Sequence, residues 1–227
     1  MVNKNIYQEM VDNSVHFGHK TQKWDPRMKK YLYGEKNGVH VFNLEMTAAL
    51  LEKACAALSK TVSEGKVVLF VSTKPQAIAL IEATAKECGM PFVVSRWIPG
   101  FLTNFPTVKK RIDYLKDLKE QEASGELEKY TKKEAGKLKK TIEKLEMSLG
   151  GVQNLTRRPD MVFVADVVKD KIVVKEANVC KIPVVAIVDS NSNPLPVDFP
   201  IPGNDDAVRS LKFFIGKVAD AIKAARK

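Results

Sequence analysis

Two unbroken apolar runs limit what this chain can fold into. Val67–Val71 and Pro183–Val188 contain no polar residue. A strand with one face in water alternates apolar and polar residues, so an unbroken run is typical of a strand buried on both faces of a parallel sheet. Shorter apolar runs at Phe92–Val94 and Met161–Val164 predict two further strands. Such a sheet needs helices on both faces.

Helical segments separate these runs. Asn43 is a suitable N-cap for a helix over Leu44–Val62, and Gly89 ends a helix that begins near Gln76. Two more helices are predicted, from near Lys169 to Cys180 and from Ala207 to about Ala225. The alternation predicts an α/β fold with a doubly wound, mainly parallel sheet of about five strands, flavodoxin-like or Rossmann-like.

Residues 106–150 interrupt this alternation with a charged segment that carries two apolar stripes. The stripes have helical spacing, and Ala123-Ser124-Gly125 supplies a turn between them: Val108, Ile112, Leu115 and Leu118, then Ala135, Leu138, Ile142, Leu145 and Leu149. We predict an inserted antiparallel helical coiled-coil hairpin at 106–150, with 1–105 and 151–227 forming the α/β domain. Without further evidence, a solvated hairpin that binds nothing is the alternative.

Charge points to a polyanionic partner. The 227 residues include 37 Lys and Arg against 27 Asp and Glu, a net charge of +10. This balance favours RNA through release of counterions from phosphates. Cys55, Cys88 and Cys180 form no CxxC pair and are interpreted as reduced thiols. The sequence shows neither a signal-like apolar N-terminus nor a run that would cross a membrane, so we expect a soluble cytoplasmic protein.

Residues 20–36, here called the N-terminal basic segment, carry six basic residues and two acids, with Trp24, Tyr31 and Tyr33 among them. Cations contact phosphates and aromatic rings stack on bases, so we predict RNA binding by Lys20, Lys23, Trp24, Arg27, Lys29 and Lys30. A basic loop with buried aromatic rings is the alternative. Other basic residues complete the predicted RNA-binding set: Arg96, Lys109, Lys110, Arg111, Arg157, Arg158 and Arg209.

Motifs for catalysis are missing from the sequence. It has no G-x-G-x-x-G after a strand, no phosphate-binding G-x-x-x-x-G-K-[ST] and no G-x-S-x-G elbow, so we predict no enzyme activity. A Mg²⁺ or Zn²⁺ ion is conceivable at His16, His19, Asp189 and Asp205, because hard cations take oxygen and imidazole ligands. Asp205 and Asp206 are equally well interpreted as caps of the last helix. No other cofactor is predicted.

Five longer segments resemble the bacterial small-subunit ribosomal protein S two family, and together they cover nearly the full chain. They occur in the family's order: HFGHKTQKWDPRMKKYLYGEKNGVHVFNL, SRWIPGFLTNFPTVKKRI, LGGVQNLTRRPDMVFVAD, IPVVAIVDSNSNP and DFPIPGNDDAVRS. The resemblance implies an α/β domain with a coiled-coil insertion and a structural, non-catalytic role in the small ribosomal subunit. It also implies binding to the subunit's RNA and to neighbouring proteins, including the large mRNA-recruiting protein one.

One departure from the family pattern concerns a turn. The family usually has Arg-Trp-Leu-Gly-Gly where this chain has Arg96-Trp97-Ile98-Pro99-Gly100, and Pro99 removes a backbone donor. The contacts made by this turn are therefore in question. The alternative function is a cytosolic α/β ligand-binding module or enzyme with a basic surface, which turnover of a nucleotide by the pure protein would favour.

Overall fold

The computed structural model describes residues 4–226, and only the backbone of residues 4, 5, 127 and 128. Residues 4–226 form seven α-helices and eight β-strands. The helices are α1 Lys4–Asp12, α2 Leu44–Ser63, α3 Pro75–Cys88, α4 Phe105–Ala123, α5 Lys132–Leu149, α6 Lys171–Val179 and α7 Val208–Ala225. The strands are β1 Phe17–Lys20, β2 Leu32–Lys36, β3 Val39–Phe42, β4 Val68–Val71, β5 Phe92–Val93, β6 Met161–Val164, β7 Val184–Val188 and β8 Phe199–Pro202.

Five strands form a parallel sheet in the order β5-β4-β6-β7-β8. The predicted α/β fold with a mainly parallel sheet is thereby confirmed. β8 is missing from the sequence-based prediction, because Pro200 and Pro202 argue against a strand. The structure accommodates both prolines because β8 is an edge strand that pairs with β7 alone.

Side chains alternate between two cores along each central strand. Leu69 and Val71 of β4 join a core that also contains α6 and the start of α4, whereas Val68 and Phe70 join a second core with α2, α3 and α7. All four side chains are fully buried, which explains the unbroken apolar run. The chain is therefore wound on both faces of the sheet.

A second, three-stranded antiparallel sheet has the order β1-β3-β2. Asn37 and Gly38 both have positive φ, 53° and 73°, as a two-residue type I′ hairpin turn requires. β1 pairs with β3, and Phe17 lies opposite Val41. The small sheet is attached to the larger one through Ser190, whose Oγ accepts from the His19 backbone N–H at 2.8 Å.

α4 and α5 form the arm, a name used below for the two helices and the turn between them. Val108, Ile112, Leu115 and Leu118 are buried along α4, and Ile142 and Leu149 are buried along α5, as the stripes predict. An ion pair between Lys119 and Glu146 also joins the two helices. The seam continues into the core beneath α6, so the body holds the root of the arm. The domain boundaries remain a prediction, and their outer ends, residues 1–3 and 227, lie outside the described residues.

Cys55, Cys88 and Cys180 are free thiols in the described structure. Over residues 4–226, none of the helices combines the length and the apolar content needed to cross a membrane.

Candidate nucleic-acid interface and the carboxyl edge of the sheet

Lys74 occupies the carboxyl edge of the parallel sheet, where ligands bind in many α/β proteins. β4 and β6 are neighbours in the sheet, and the chain reverses its direction of travel across the sheet between them. Lys74 follows β4 and Asp166 follows β6, with 3.2 Å between the Lys74 Nζ and the Asp166 Oδ2. The same Nζ lies 2.6 Å from Asp205 Oδ1 and 2.7 Å from Asp206 Oδ1. The chain thus places its own ammonium group among three carboxylates at this edge.

Burial and neighbouring charges shift the pKa values of Lys74 and Asp205. Burial alone would lower the pKa of Lys74, but the carboxylates of Asp205, Asp206 and Asp166 outweigh it and raise that pKa above its usual value. Burial, followed by the charges of Asp189 and Asp166, raises the pKa of Asp205 to about 7 against the opposing effect of Lys74. Lys74 is therefore held in its charged form.

The interpretation of Asp205 and Asp206 as helix caps is wrong. The N-cap of α7 is Ala207, which has no side-chain capping bond. Asn204 performs a related task, because its Oδ1 accepts from the N–H groups of Asp206 at 2.8 Å and Ala207 at 3.0 Å. The two aspartates face Lys74, a partner more than a hundred residues away that no local pattern reveals.

His19 connects the small sheet to this edge. Its Nδ1 lies 3.1 Å from Asp189 Oδ1 and its Nε2 lies 3.3 Å from Asp206 Oδ2. The hydrogen bond with Asp189 raises the pKa of His19, while burial opposes the rise. Asp189 also accepts from the backbone N–H of Asp205 at 3.2 Å. The Asp189 carboxylate therefore joins β1, which contains His19, to the loop before α7.

The four residues considered for a metal ion do not act as one group. His19, Asp189 and Asp205 belong to the cluster just described, whereas His16 packs on Phe17 with 4.0 Å between ring centroids. The Nδ1 of His16 is buried without a hydrogen-bond partner, and burial lowers the pKa of this imidazole. Within residues 4–226, no three His, Cys, Asp or Glu side chains are arranged to hold a metal ion. A Mg²⁺ or Zn²⁺ ion stays a prediction, and Lys74 already supplies positive charge to Asp205.

The N-terminal basic segment presents its cations to solvent. Lys20, Lys23, Arg27, Lys29 and Lys30 are all exposed, and Trp24 is half-buried against His40. Tyr31 does not fit the prediction of a ring free to stack, because it is buried and Lys30 covers it at 4.7 Å from the ring centroid. Tyr33 is the free ring, with 83% of its surface exposed, and it is absent from the predicted RNA-binding set. Tyr31 ends a short 3₁₀ helix at Pro26–Tyr31 whereas Tyr33 lies in β2, and no spacing in the sequence separates the two rings.

The other predicted RNA-binding residues lie in separate places. Arg96 follows β5 at the carboxyl edge, and Arg209 is exposed in the first turn of α7. Lys110 and Arg111 are exposed on the first turns of α4, where Lys109 pairs with Asp113 at 2.5 Å. Arg157 and Arg158 precede β6 and are exposed at the opposite, amino edge of the sheet. Basic side chains are therefore present at both edges.

Glu176 fixes the root of the arm, and the sequence gives little sign of it. This buried residue of α6 accepts from the Trp97 indole N–H at 3.0 Å and from the backbone N–H groups of Gly100 at 2.8 Å and Leu102 at 3.0 Å. The backbone N–H and the hydroxyl of Thr103 also donate to it, each at 3.3 Å. In the sequence, a glutamate between Lys175 and Ala177 in a short helix is typical of an exposed residue. Only the fold reveals that it is buried at the arm root.

Pro99 leaves this turn intact. The donors that reach Glu176 come from Trp97, Gly100, Leu102 and Thr103, so the N–H group that proline lacks belongs to none of these bonds. Gly100 has a φ of +90°, which favours glycine at that position. The departure from the family pattern therefore costs no contact to Glu176.

Acid should reduce the stability that Glu176 gives to the turn at residues 97–103. Burial would raise the pKa of Glu176, but hydrogen bonds from Trp97, Gly100, Leu102 and Thr103 outweigh it and lower that pKa below its usual value. A depressed folded-state pKa gives stability that is complete above the unfolded value of about 4.3 and is lost as the pH falls through the folded value. We expect the wild type to exceed Glu176→Gln in free energy of unfolding by a constant amount above about pH 5, and by less at pH 3.

Urea denaturation of both proteins across this range tests the expectation. Glu52→Gln, on the exposed face of α2, is the matched control and should differ little from the wild type at any pH. A difference between wild type and Glu176→Gln that stays the same from pH 7 to pH 3 would contradict it.

The fold and its surface define a class of protein. It is a basic α/β protein with a helical insertion, and a buried lysine is ion-paired at the carboxyl edge, where such sheets usually bind a ligand. The chain belongs to the family described as Ribosomal protein S2, whose family model matches residues 10–225.

Named relatives agree with this assignment. A protein of Dehalococcoides mccartyi named small ribosomal subunit protein uS2 is 46% identical over 219 residues, which cover 96% of this chain and 89% of that protein. The uS2 protein of Dictyoglomus thermophilum is 44% identical, with 96% of this chain and 88% of that protein covered. A uS2c protein of Cyanophora paradoxa is 46% identical, with coverage of 94% and 92%.

Proposed function

We propose that this chain is a structural component of the small ribosomal subunit and binds the subunit's RNA in the translating ribosome of the cytoplasm. The observation that carries the proposal is the similarity to proteins named small ribosomal subunit protein uS2, at 46% identity over 96% of the chain. The net charge of +10 supports an RNA partner. The family implies a non-enzymatic role, which agrees with the absence of catalytic motifs from the sequence.

The proposed RNA contacts begin with the N-terminal basic segment. Its exposed cations, Lys20, Lys23, Arg27, Lys29 and Lys30, suit phosphate contacts, while Trp24 is half-buried. The exposed cations at the arm root and the two sheet edges complete the proposed set: Arg96, Lys110, Arg111, Arg157, Arg158 and Arg209, with Lys109 partly exposed. Docking of neighbouring proteins, including the large mRNA-recruiting protein one, belongs to the proposal and rests on the family resemblance.

Removing two cations from this segment should weaken RNA binding in a salt-dependent way. For Lys29→Ala combined with Lys30→Ala, we expect the slope of log affinity against log salt for small-subunit rRNA to fall by about two units, because each lost phosphate contact removes about one. Filter binding over a salt series measures this slope.

The matched control is Lys53→Ala combined with Lys60→Ala, which removes the same charge from exposed positions of α2. Equal slopes for both pairs would show that overall charge, not the N-terminal basic segment, governs binding. Mass spectrometry of gradient-purified small subunits tests the wider proposal, and a chain absent from those subunits would refute it.

A further inference from the structure

A basic cleft lies at the amino edge of the sheet, opposite the Lys74 cluster. It has a volume of about 510 Å³ and is formed where β4, β5 and β6 begin, beside the end of α5. Its lining includes four cationic side chains, Lys66, Lys86, Arg157 and Arg226, and no acidic one. We call this the amino-edge cleft. It contains Arg157 of the LGGVQNLTRRPD segment, which the proposed function already places among the RNA contacts.

Three of these cations are paired with carboxylates that lie outside the lining. Lys66 Nζ is 2.6 Å from Glu64, Lys86 Nζ is 2.6 Å from Glu82, and Arg157 Nη1 is 2.9 Å from Asp160. The three basic side chains remain 48%, 62% and 60% exposed. Exposed ion pairs contribute only about 0–1 kcal/mol, so an incoming phosphate competes with them easily. The pairs therefore leave these three cations exposed to an incoming phosphate.

Close packing of the backbone at two glycines brings the residues of the cleft together. A Cβ at Gly151 would collide with the carbonyl oxygen and ring of Phe92, so glycine allows the chain leaving the arm to lie directly on β5. Arg226, at the end of α7, donates to the carbonyl of Cys88 and covers Gly89, where φ is +60°. Residues from four distant parts of the sequence thus line one concave site.

The chemistry of the lining fits an RNA strand better than a protein partner. Protein interfaces rely on large exposed apolar or aromatic anchors, whereas the large apolar side chains of this lining, Met90, Phe92 and Leu155, are buried or half-buried. The cations suit phosphate groups, and the neutral side chains of Gln153, Asn154 and Thr156 offer partners for ribose hydroxyls. The size is that of a nucleotide-sized ligand site.

We propose that the amino-edge cleft binds the sugar–phosphate backbone of an RNA strand, as a contact separate from the N-terminal basic segment. The inference rests on the proposed function, since it names a second surface for the same RNA. The backbone N–H of Asp25, in the N-terminal basic segment, donates to the carbonyl of Ser190 after β7 at 2.7 Å, so the two contacts lie at opposite ends of the strands. RNA bound in the cleft would lie beside Gly150, where α5 ends, and would fix the arm as well.

Lys66→Gln combined with Lys86→Gln tests the cleft in the full chain with transcribed small-subunit rRNA. We expect the slope of log affinity against log salt to fall by about two units and affinity at 0.1 M salt to fall about tenfold to a hundredfold. The loss should add to that of Lys29→Ala with Lys30→Ala, because the two sites share no contacts. Lys53→Gln with Lys60→Gln is the control for charge, and thermal unfolding confirms that all variants fold.

Lysine acetylation tests directly whether RNA contacts the cleft. Small-subunit rRNA should protect Lys66 and Lys86 of the wild type from acetylation, while Lys53 and Lys60 should stay reactive. Protection confined to the N-terminal basic segment would overturn the proposal. Loss of binding to guanosine monophosphate in the cleft variant, with rRNA binding unchanged, would identify a free-nucleotide site and would also overturn it.

Two further outcomes separate this inference from the proposed function. If the wild type binds rRNA and the cleft variant binds with the same affinity and salt slope, the cleft proposal alone fails. A variant that binds rRNA normally but is lost from reconstituted subunits would mark the cleft as a protein-docking site instead. Failure of the wild type to bind rRNA at all would refute the proposed function as well.

Discussion

Replacing Lys74 by methionine should lower the free energy of unfolding by about 3–5 kcal/mol, because the change leaves buried carboxylates without their cation. Asp205 and Asp166 are buried and lie 2.6 Å and 3.2 Å from the ammonium group. Removing one partner of a buried ion pair costs more than the pair contributes, since the remaining charge stays desolvated. Guanidinium-induced unfolding followed by circular dichroism gives the value.

Two matched variants make this result interpretable. Lys86→Met removes an ammonium group from an exposed pair on α3 and should cost less than about 1 kcal/mol. Adding Asp205→Asn to Lys74→Met should recover part of the loss, because it removes one of the stranded charges. If Lys74→Met unfolds at the same denaturant concentration as the wild type, the cluster contributes nothing to the fold.

The second large effect is expected for Glu176→Ala, at about 3–5 kcal/mol of lost stability. The buried indole N–H of Trp97 and backbone N–H of Leu102 lose their only described acceptor, and each unsatisfied donor costs about 1–3 kcal/mol. The loss should be concentrated at the arm root. Hydrogen exchange should therefore accelerate for the amides of Gly100, Leu102 and Thr103 more than for those of β6.

Glu87→Ala is the control, because this exposed glutamate pairs with Lys223 at the surface. We expect its stability and exchange pattern to remain close to those of the wild type. Uniform acceleration of exchange across the protein would show that Glu176 supports the whole core rather than the arm root. Unchanged exchange at residues 100–103 would show that the turn holds its shape without the carboxylate.

The sequence predicts the sheet well because its signals are local. The apolar run Val67–Val71 corresponds to β4, and Asn43 caps α2 by accepting from the N–H groups of Glu45 and Met46. Strand β8 escapes prediction because its prolines are tolerated only at a sheet edge, and edge position is a property of the whole sheet.

The candidate sites are less predictable because they depend on contacts between distant residues. Lys74 and Glu176 carry no motif, and each acquires its role from partners about 75 to 130 residues away. Solvent exposure is equally hard to predict from the sequence. Tyr31 and Tyr33 are two residues apart, but the first is buried and the second is exposed. The predicted basic residues are nevertheless all surface groups, because lysine and arginine are rarely buried without a partner.

The two ends of the parallel sheet bear on how the free protein avoids aggregation before it joins a larger assembly. An unprotected edge strand offers a row of N–H and C=O groups to other chains. At one end, β5 is only two residues long and Gly151 packs against its Phe92 carbonyl. At the other end, Pro200 and Pro202 remove two donors from β8. Neither end provides a continuous template on which another polypeptide could add a strand.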